Sequence, residues 1–444
     1  MPDRRRFVKQ SAAISLGAVP MYRSNYVKNL FQDKLRYGVI GCNGMGWSNM
    51  NAHLAMDDID CVAIADVDEN AIGRRLKNYG ERRSNTPKTY GDYRRLLEDD
   101  NVDVVVIGTP DHWHCKMFCD ALEAGKHVYV EKPVANSVEE ARIMMRAAEA
   151  HPNQMVQVGQ WQRSGPHYRE AIDIVQSGEL GRIRLVKVWA YQGWMKPVDK
   201  VADGSPPAGV DYKMWLGPAK TRPFNQNRFH FNFRWFWDYA GGLMTDWGVH
   251  EIDIALYAMK AVAPKSVMAS GGKLAYPDDA SETPDTLQTV FEYDDFNMLW
   301  EHATGIDNGP YNRREGIAFI GNNGTLVVNR DGYDVIEEHV SINYSQEGDA
   351  KMKTYESVKR PEGVNYLGLH CKNFVEAIRK GDSSILNTPI HSGSLAAINA
   401  HMGNIAFKTG KKIYWDQDKG NFTIPEANEL LTPTYHNGWK LPKY

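Results

Sequence analysis

Residues 35–66 constrain this chain most. Leu35, Tyr37, Val39 and Ile40 make a short, mostly apolar run, and Gly41, Gly44 and Gly46 follow at once. A helical pattern opens at Trp47, and a second apolar run, 61–65, ends in Asp66, about twenty residues past Gly46. Strand, glycine turn, helix, strand and acid is the order of a dinucleotide-binding βαβ unit. Glycines let the backbone turn tightly and approach a pyrophosphate, to which the helix N-terminus offers free N–H groups. A carboxylate closing the second strand accepts both hydroxyls of an adenosine ribose and repels a 2′-phosphate, so NAD is expected, with NADP the alternative. The spacing G-x-G-x-x-G would put glycine at position 43, where this chain has Asn43. Asn is the next best residue at positive φ, so the turn survives. The residues expected to hold the cofactor here are Gly41, Asn43, Gly44, Met45, Gly46 and Asp66. The bland alternative is an ordinary βα turn that binds nothing.

The next segments repeat the alternation. Residues 103–107, Asp-Val-Val-Val-Ile, read as a strand buried on both faces. They run into Gly108, Thr109, Pro110, Asp111, His112, Trp113 and His114, and then a helix. Ligands bind at the carboxyl ends of such strands, so Thr109 and Pro110 are expected at the cofactor. His112 and His114 reach the same crevice or else cap and pack the helix start. A further strand, 126–130, leads into Glu131, Lys132 and Pro133. A lysine at a strand end beside a cofactor crevice suits acid–base work. A strand at 155–159 completes this part, and the domain boundary is expected near Gly159.

Beyond it the pattern changes to α+β. A helix is read at 167–177 and strands at 183–194, 265–271, 286–293, 297–302, 316–320 and 325–329. Such a run suggests a mostly antiparallel sheet with helices on one face and the other face open to pair between subunits. In 235–257, Gly241 and Gly242 precede Asp246, His250 and Asp253. Asp246 and His250 stand at i and i+4 and so share a helix face, where the carboxylate would orient the imidazole and raise its pKa. A purely structural pair is the alternative. Two ligands at this spacing do not make a metal site, and none is expected.

Bulk properties narrow the partners. At 444 residues two domains are expected, and a net charge of −3 without a long basic run past the N-terminus argues against nucleic acid. The five cysteines show no disulfide framework. The 12 Trp and 22 Tyr concentrate partly in 189–240, where aromatic faces either stack on sugars or fill core. Residues 1–34 stand apart. Arg4, Arg5, Arg6, Phe7, Val8 and Lys9 resemble a twin-arginine export signal, followed by an apolar stretch at 11–21 too short to span a bilayer. Periplasmic location is expected, or cytoplasmic if the segment is only a basic tail.

Four motifs occur in order: Gly41-Cys-Asn-Gly-Met-Gly46, Thr109-Pro-Asp-His-Trp-His114, Glu131-Lys-Pro133 and Asp246-Trp-Gly-Val-His-Glu-Ile-Asp253. Together they resemble the glucose–fructose oxidoreductase, inositol dehydrogenase and MocA (Gfo/Idh/MocA) family, over nearly everything after the N-terminal tail. The resemblance implies a Rossmann domain at 35–158 and, at 159–444, a domain built on an open-faced, mostly antiparallel sheet, dimeric or tetrameric through that sheet. It implies NAD or NADP and a sugar or polyol substrate. By the same match, Lys132, Asp246 and His250 are the catalytic residues and Asp66 the ribose-binding acid; Glu131, Lys132, His112 and His114 are expected to join Thr109 and Pro110 around the cofactor. Gln160, Arg163 and Tyr191 are expected substrate contacts beside Asp246 and His250, from their places near strand ends.

The mechanism expected is hydride transfer from a secondary sugar alcohol. His250 removes the hydroxyl proton, Lys132 stabilises the charge growing on the same oxygen, and the two roles are exchangeable. Asp246 orients His250 or binds a neighbouring hydroxyl. Two alternatives stand beside it. One is redox-neutral glycoside cleavage or sugar–sugar oxidoreduction on a retained cofactor, which export favours because free NAD is scarce outside the cytoplasm. The other is a non-catalytic sugar sensor.

Overall fold

In the computed structural model residues 34–444 are described, and the export signal read at residues 4–21 lies outside them. The first layer is a six-stranded parallel sheet in the order β3-β2-β1-β4-β5-β6. Its strands are β1 (Leu35–Ile40), β2 (Ile59–Ala65), β3 (Lys88–Tyr90), β4 (Val104–Ile107), β5 (His127–Val130) and β6 (Val156–Val158). The helices α1 (Gly44–Leu54), α2 (Glu69–Gly80), α3 (Tyr93–Leu97), α4 (His114–Glu123) and α5 (Val138–Ala150) alternate with them. All four residues of β4 are fully buried, as a continuous β-branched run in a sheet covered on both faces demands. Capping sets the helix starts. Asp68 accepts from the Asn70 N–H at α2, and Ser137 accepts from the Glu140 N–H at α5.

Helix α6 (Pro166–Ser177) leads into a ten-stranded mixed sheet. Its central strands are β7 (Leu185–Gln192), β8 (Ser266–Gly272), β9 (Thr286–Glu292), β10 (Asn297–Thr304), β11 (Glu315–Ile320), β12 (Gly324–Asn329) and β13 (Gly332–Glu337). They stand in the order β13-β12-β11-β7-β10-β9-β8, with Val358–Lys359 at one edge and Ile413–Asp416 and Asn421–Phe422 at the other. All neighbours are antiparallel except β7 and β10, where Val188 pairs with Trp300 in parallel. Strand alternation sends Val186, Val188 and Ala190 into the helix-covered core and leaves Lys187, Trp189 and Tyr191 on the other face.

Between β7 and β8 run α7 (Tyr212–Leu216), α8 (Leu243–Asp246) and α9 (Gly248–Met259). Two late helices, α10 (Tyr366–Lys380) and α11 (Ile390–Thr409), return to the first sheet, α10 against α1 and α11 against α5. The Val158 N–H donates to the Thr388 carbonyl at 3.0 Å, so the C-terminal segment also closes the edge of β6. Gly159 lies in the chain between the two sheets, and α10 and α11 pack back onto the first. No helix among the described residues is long and apolar enough to cross a membrane.

Candidate active site

The β1–α1 turn is shaped by close approach to the loop after β4. Gly41 sits at φ +79°, and a Cβ there would lie 2.8 Å from the Thr109 nitrogen. A Cβ on Gly46 would run into the Gly41 carbonyl oxygen. Asn43 corrects the expectation made for it. Its φ is −91°, and the left-handed position belongs to Gly44, at φ +46°. The missing glycine therefore costs the turn nothing. The Asn43 side chain accepts from Arg75 at 3.2 Å, and Arg75 Nε donates to the Cys42 carbonyl at 2.8 Å, tying α2 to the turn. The Asp66 carboxylate accepts from the Cys42 and Asp68 N–H groups at 2.8 and 3.0 Å. Burial pushes its pKa up against those donors.

A cavity of about 480 Å³ opens over this turn, lined by Gly44, Asp66, Thr109, Pro110, Glu131 and Lys132. Gly41, Asn43 and Met45 also face it, while Gly46 packs behind them. Its roof comes from the second part of the chain, through His230, Phe231 and Arg234. Glycines that no Cβ could replace, the N-terminus of α1 and a carboxylate at the end of β2 fit a dinucleotide.

The motif after β5 carries the polar machinery. Glu131 accepts from Asn49 Nδ2 at 2.7 Å and from the Lys132 N–H at 3.1 Å. Lys132 Nζ reaches across to α8, donating to the Asp246 carbonyl at 2.8 Å and to Asp246 Oδ1 at 2.9 Å. Arg234 Nε donates to the same Oδ1 at 3.1 Å. Burial pushes the Asp246 carboxyl up, but the Lys132 ammonium and the Arg234 guanidinium outweigh it and hold the pKa at about 2. Asp246 is thus the counter-ion of Lys132.

It does not orient His250, which corrects the i, i+4 expectation. The Asp246 carbonyl, which would accept the His250 N–H in an unbroken helix, accepts Lys132 Nζ instead. The His250 N–H turns to the Trp247 carbonyl at 3.0 Å, and the helix breaks between α8 and α9. The His250 ring packs near Trp161 and Trp247, with Nδ1 buried and unpartnered, and neither it nor Asp246 is among the residues lining the cavity. Burial, with Lys132 and Arg330 adding positive charge nearby, holds its pKa well below 6.5. The ring is therefore neutral, the reverse of the raised pKa expected, and able to accept a proton.

Other expected contacts are placed elsewhere. His112 Nε2 lies 3.1 Å from the Trp215 carbonyl, and the His114 nitrogens lie 2.7 and 2.9 Å from the Pro133 and Thr109 carbonyls. Both rings are buried and pack the helix start; neither lines the cavity. Arg163 is committed to Asp253 through two bonds of 2.7 Å and lies over Tyr257, which leaves no fork for substrate. Tyr191 is on the face of β7 turned away from α9, with its hydroxyl 3.4 Å from Glu301. Gln160 is buried with both amide atoms unpartnered and does not line the cavity.

Three residues at the site were not singled out from the sequence. Arg234 pairs with Asp246, and Arg330 lies over both Trp161 and Trp247 at 4.6 and 4.3 Å. Asp111 lines the cavity, where burial pushes its carboxyl to about 8 against the pull of Arg234 and Lys132. The arginine set among the aromatics at 229–237 is the one signal that could have marked Arg234.

The fold and the cavity define an NAD-binding Rossmann protein with a C-terminal alpha/beta domain. Residues 35–160 match the family model described as an oxidoreductase family with an NAD-binding Rossmann fold, and residues 173–295 match that family's C-terminal alpha/beta domain. The chain belongs to the Gfo/Idh/MocA oxidoreductase family. It is 28% identical over 243 residues to the uncharacterized oxidoreductase YrbE of Bacillus subtilis (strain 168), covering 55% of this chain and 59% of that one. It is 31% identical over 168 residues to a glycosyl hydrolase family 109 protein of Shewanella sp. (strain ANA-3), covering 33% and 37%. These matches span less than two thirds of the relatives' own lengths. In fold it resembles levoglucosan dehydrogenase in complex with NADH and levoglucosan, with a TM-score of 0.64 at 20% identity over 86% of this chain and 99% of that one.

Proposed function

We propose that this chain oxidises a secondary hydroxyl of a sugar, glycoside or polyol with NAD. The observation that carries the reading is the Lys132–Asp246 pair of 2.9 Å, with Lys132 lining the same cavity as the ribose-side Asp66. NAD, when bound, supplies the hydride acceptor. His250, neutral in its buried setting, takes the hydroxyl proton. Lys132 donates a hydrogen bond to the same oxygen and stabilises its developing charge. Asp246 holds the ammonium in place and Arg234 holds Asp246. The protein works as a homodimer or homotetramer through the open sheet face, where Leu185 and Met268 are exposed.

Lys132→Ala tests this directly. NAD binding, followed by fluorescence titration, is expected to persist, while sugar-dependent NADH formation falls by about 10²–10⁴-fold. A variant within threefold of the parent would refute the assignment.

Retained-cofactor glycoside cleavage is the second reading, favoured by the roof over the cavity. Segment 193–242 is fastened to the Rossmann part through Glu69 N–H to the Gly209 carbonyl at 2.9 Å and Asp211 N–H to the Val67 carbonyl at 2.8 Å. The glycosyl hydrolase family 109 relative supports the same reading. Export by the twin-arginine route, proposed for residues 4–21, fits the same reading, because that route carries folded proteins with their cofactors. Co-purified NAD, and aglycone release without net NADH, would distinguish it from the first reading.

A further inference from the structure

We propose that Trp194 and Phe231 form a subsite for the second pyranose ring of a disaccharide, so that the substrate is a glycoside and not a free monosaccharide. The proposal rests on the sugar-oxidation reading above. Trp194 is 47% exposed and Phe231 50% exposed, and their ring centroids lie 6.0 Å apart. Two large aromatic rings side by side in solvent mark a contact surface, because such rings otherwise bury.

Their position joins this surface to the chemistry. Phe231 lines the 480 Å³ cavity and also an adjoining one of about 240 Å³, bounded by Trp194, Asn227, Asn232 and Trp235. The Arg234 guanidinium lies 4.7 Å from the Phe231 ring and 3.1 Å from Asp246, which bonds Lys132. A sugar whose reacting carbon sits at Lys132 therefore has its neighbouring ring over Phe231 and Trp194.

Trp194 is held at its ring and Phe231 at its backbone. Trp194 Nε1 donates to Gln192 Oε1, and Arg234 Nη1 donates to the Phe231 carbonyl at 3.0 Å. The edge is polar. Asn232 and Asn227 line the adjoining cavity with their amides. A pyranose ring has the complementary surface, with apolar C–H faces to lie on an aromatic ring and equatorial hydroxyls to meet an amide. A protein partner would want a broader and flatter apolar patch than one Trp and one Phe beside a cleft.

The test uses the NAD-loaded full chain and matched sugar pairs: glucose with cellobiose, glucose with maltose, and galactose with lactose. The readout is the disaccharide-to-monosaccharide ratio of kcat/KM for reduction of NAD. The ratio is expected to exceed about tenfold for at least one pair and to fall toward one in Trp194→Ala, as loss of one stacking contact implies. Phe231→Leu should lower it less, and Tyr344→Ala, on an exposed hairpin, should leave it as it was. A parent ratio near one overturns the subsite, as does a high ratio that Trp194→Ala does not change. Bound NAD that none of these sugars reduces would instead refute the sugar-oxidation reading, and the subsite with it.

Discussion

Replacing Asp246 by Asn removes one charge from a site built on charge pairing. Its carboxylate is 13% exposed at the side chain and takes Lys132 at 2.9 Å and Arg234 at 3.1 Å. The fall in its pKa from 3.8 to about 2 corresponds to roughly 2–3 kcal/mol of preference for the charged form in the fold. A depressed carboxyl contributes stability that is complete above its unfolded value and fades as pH falls through its folded value. Asp246→Asn is therefore expected to cost roughly 2–3 kcal/mol at pH 7, and about half of that near pH 3, midway between the two pKa values. Urea unfolding of parent and variant at both pH values measures the difference. A loss under about 1 kcal/mol at pH 7 would mean an ordinary solvent-screened pair. A loss equal at both pH values would mean that packing, not charge, holds the site. Either result refutes the reasoning.

Two further outcomes follow from the geometry. Gly46→Ala puts a methyl group against the Gly41 carbonyl oxygen and should abolish NAD binding in a calorimetric titration while the fold persists by circular dichroism. The pH profile of kcat/KM should stay level down through 6.5 and fall only below it, because burial, Lys132 and Arg330 keep His250 neutral through that range. An acid limb at or above 6.5 that remains in Asp111→Asn, which removes the carboxyl that burial pushes to about 8, would show that His250 is not the base.

The parts read correctly from the sequence depend on local pattern. The apolar runs of β1, β2 and β4, the glycine turn and Asp66 follow from period, turn chemistry and spacing within thirty residues. Lys132 was legible for the same reason, as a lysine at a strand's carboxyl end. The parts misread depend on residues distant in the chain. Asp246 and His250 have helical spacing, but an ammonium 114 residues earlier takes the carbonyl that would have continued the helix. Arg163 looked free until Asp253 was brought to it. Tyr191 alternates with Val188 and Ala190 as any strand residue must, but which face meets the helices is decided by packing against α9. Asn43 was read one place out of register, because Gly44 at φ +46° carries the turn.

The Lys132–Asp246 bond joins the two sheets' domains. Lys132 follows β5 of the parallel sheet, whereas Asp246 ends α8, in the chain between β7 and β8 of the mixed one. A few tenths of an ångström of slip between these parts would lengthen two charge-assisted bonds at once, so the site needs a fixed relation between them. The late helices supply it. Helix α11 packs against both α5 and α9, and α10 packs against α1, the helix whose N-terminus closes the cofactor cavity. The Thr388 carbonyl, between those helices, is bonded to the end of β6. The last hundred residues contribute no side chain to the cavity. Their work is to hold Asp246 where Lys132 can reach it.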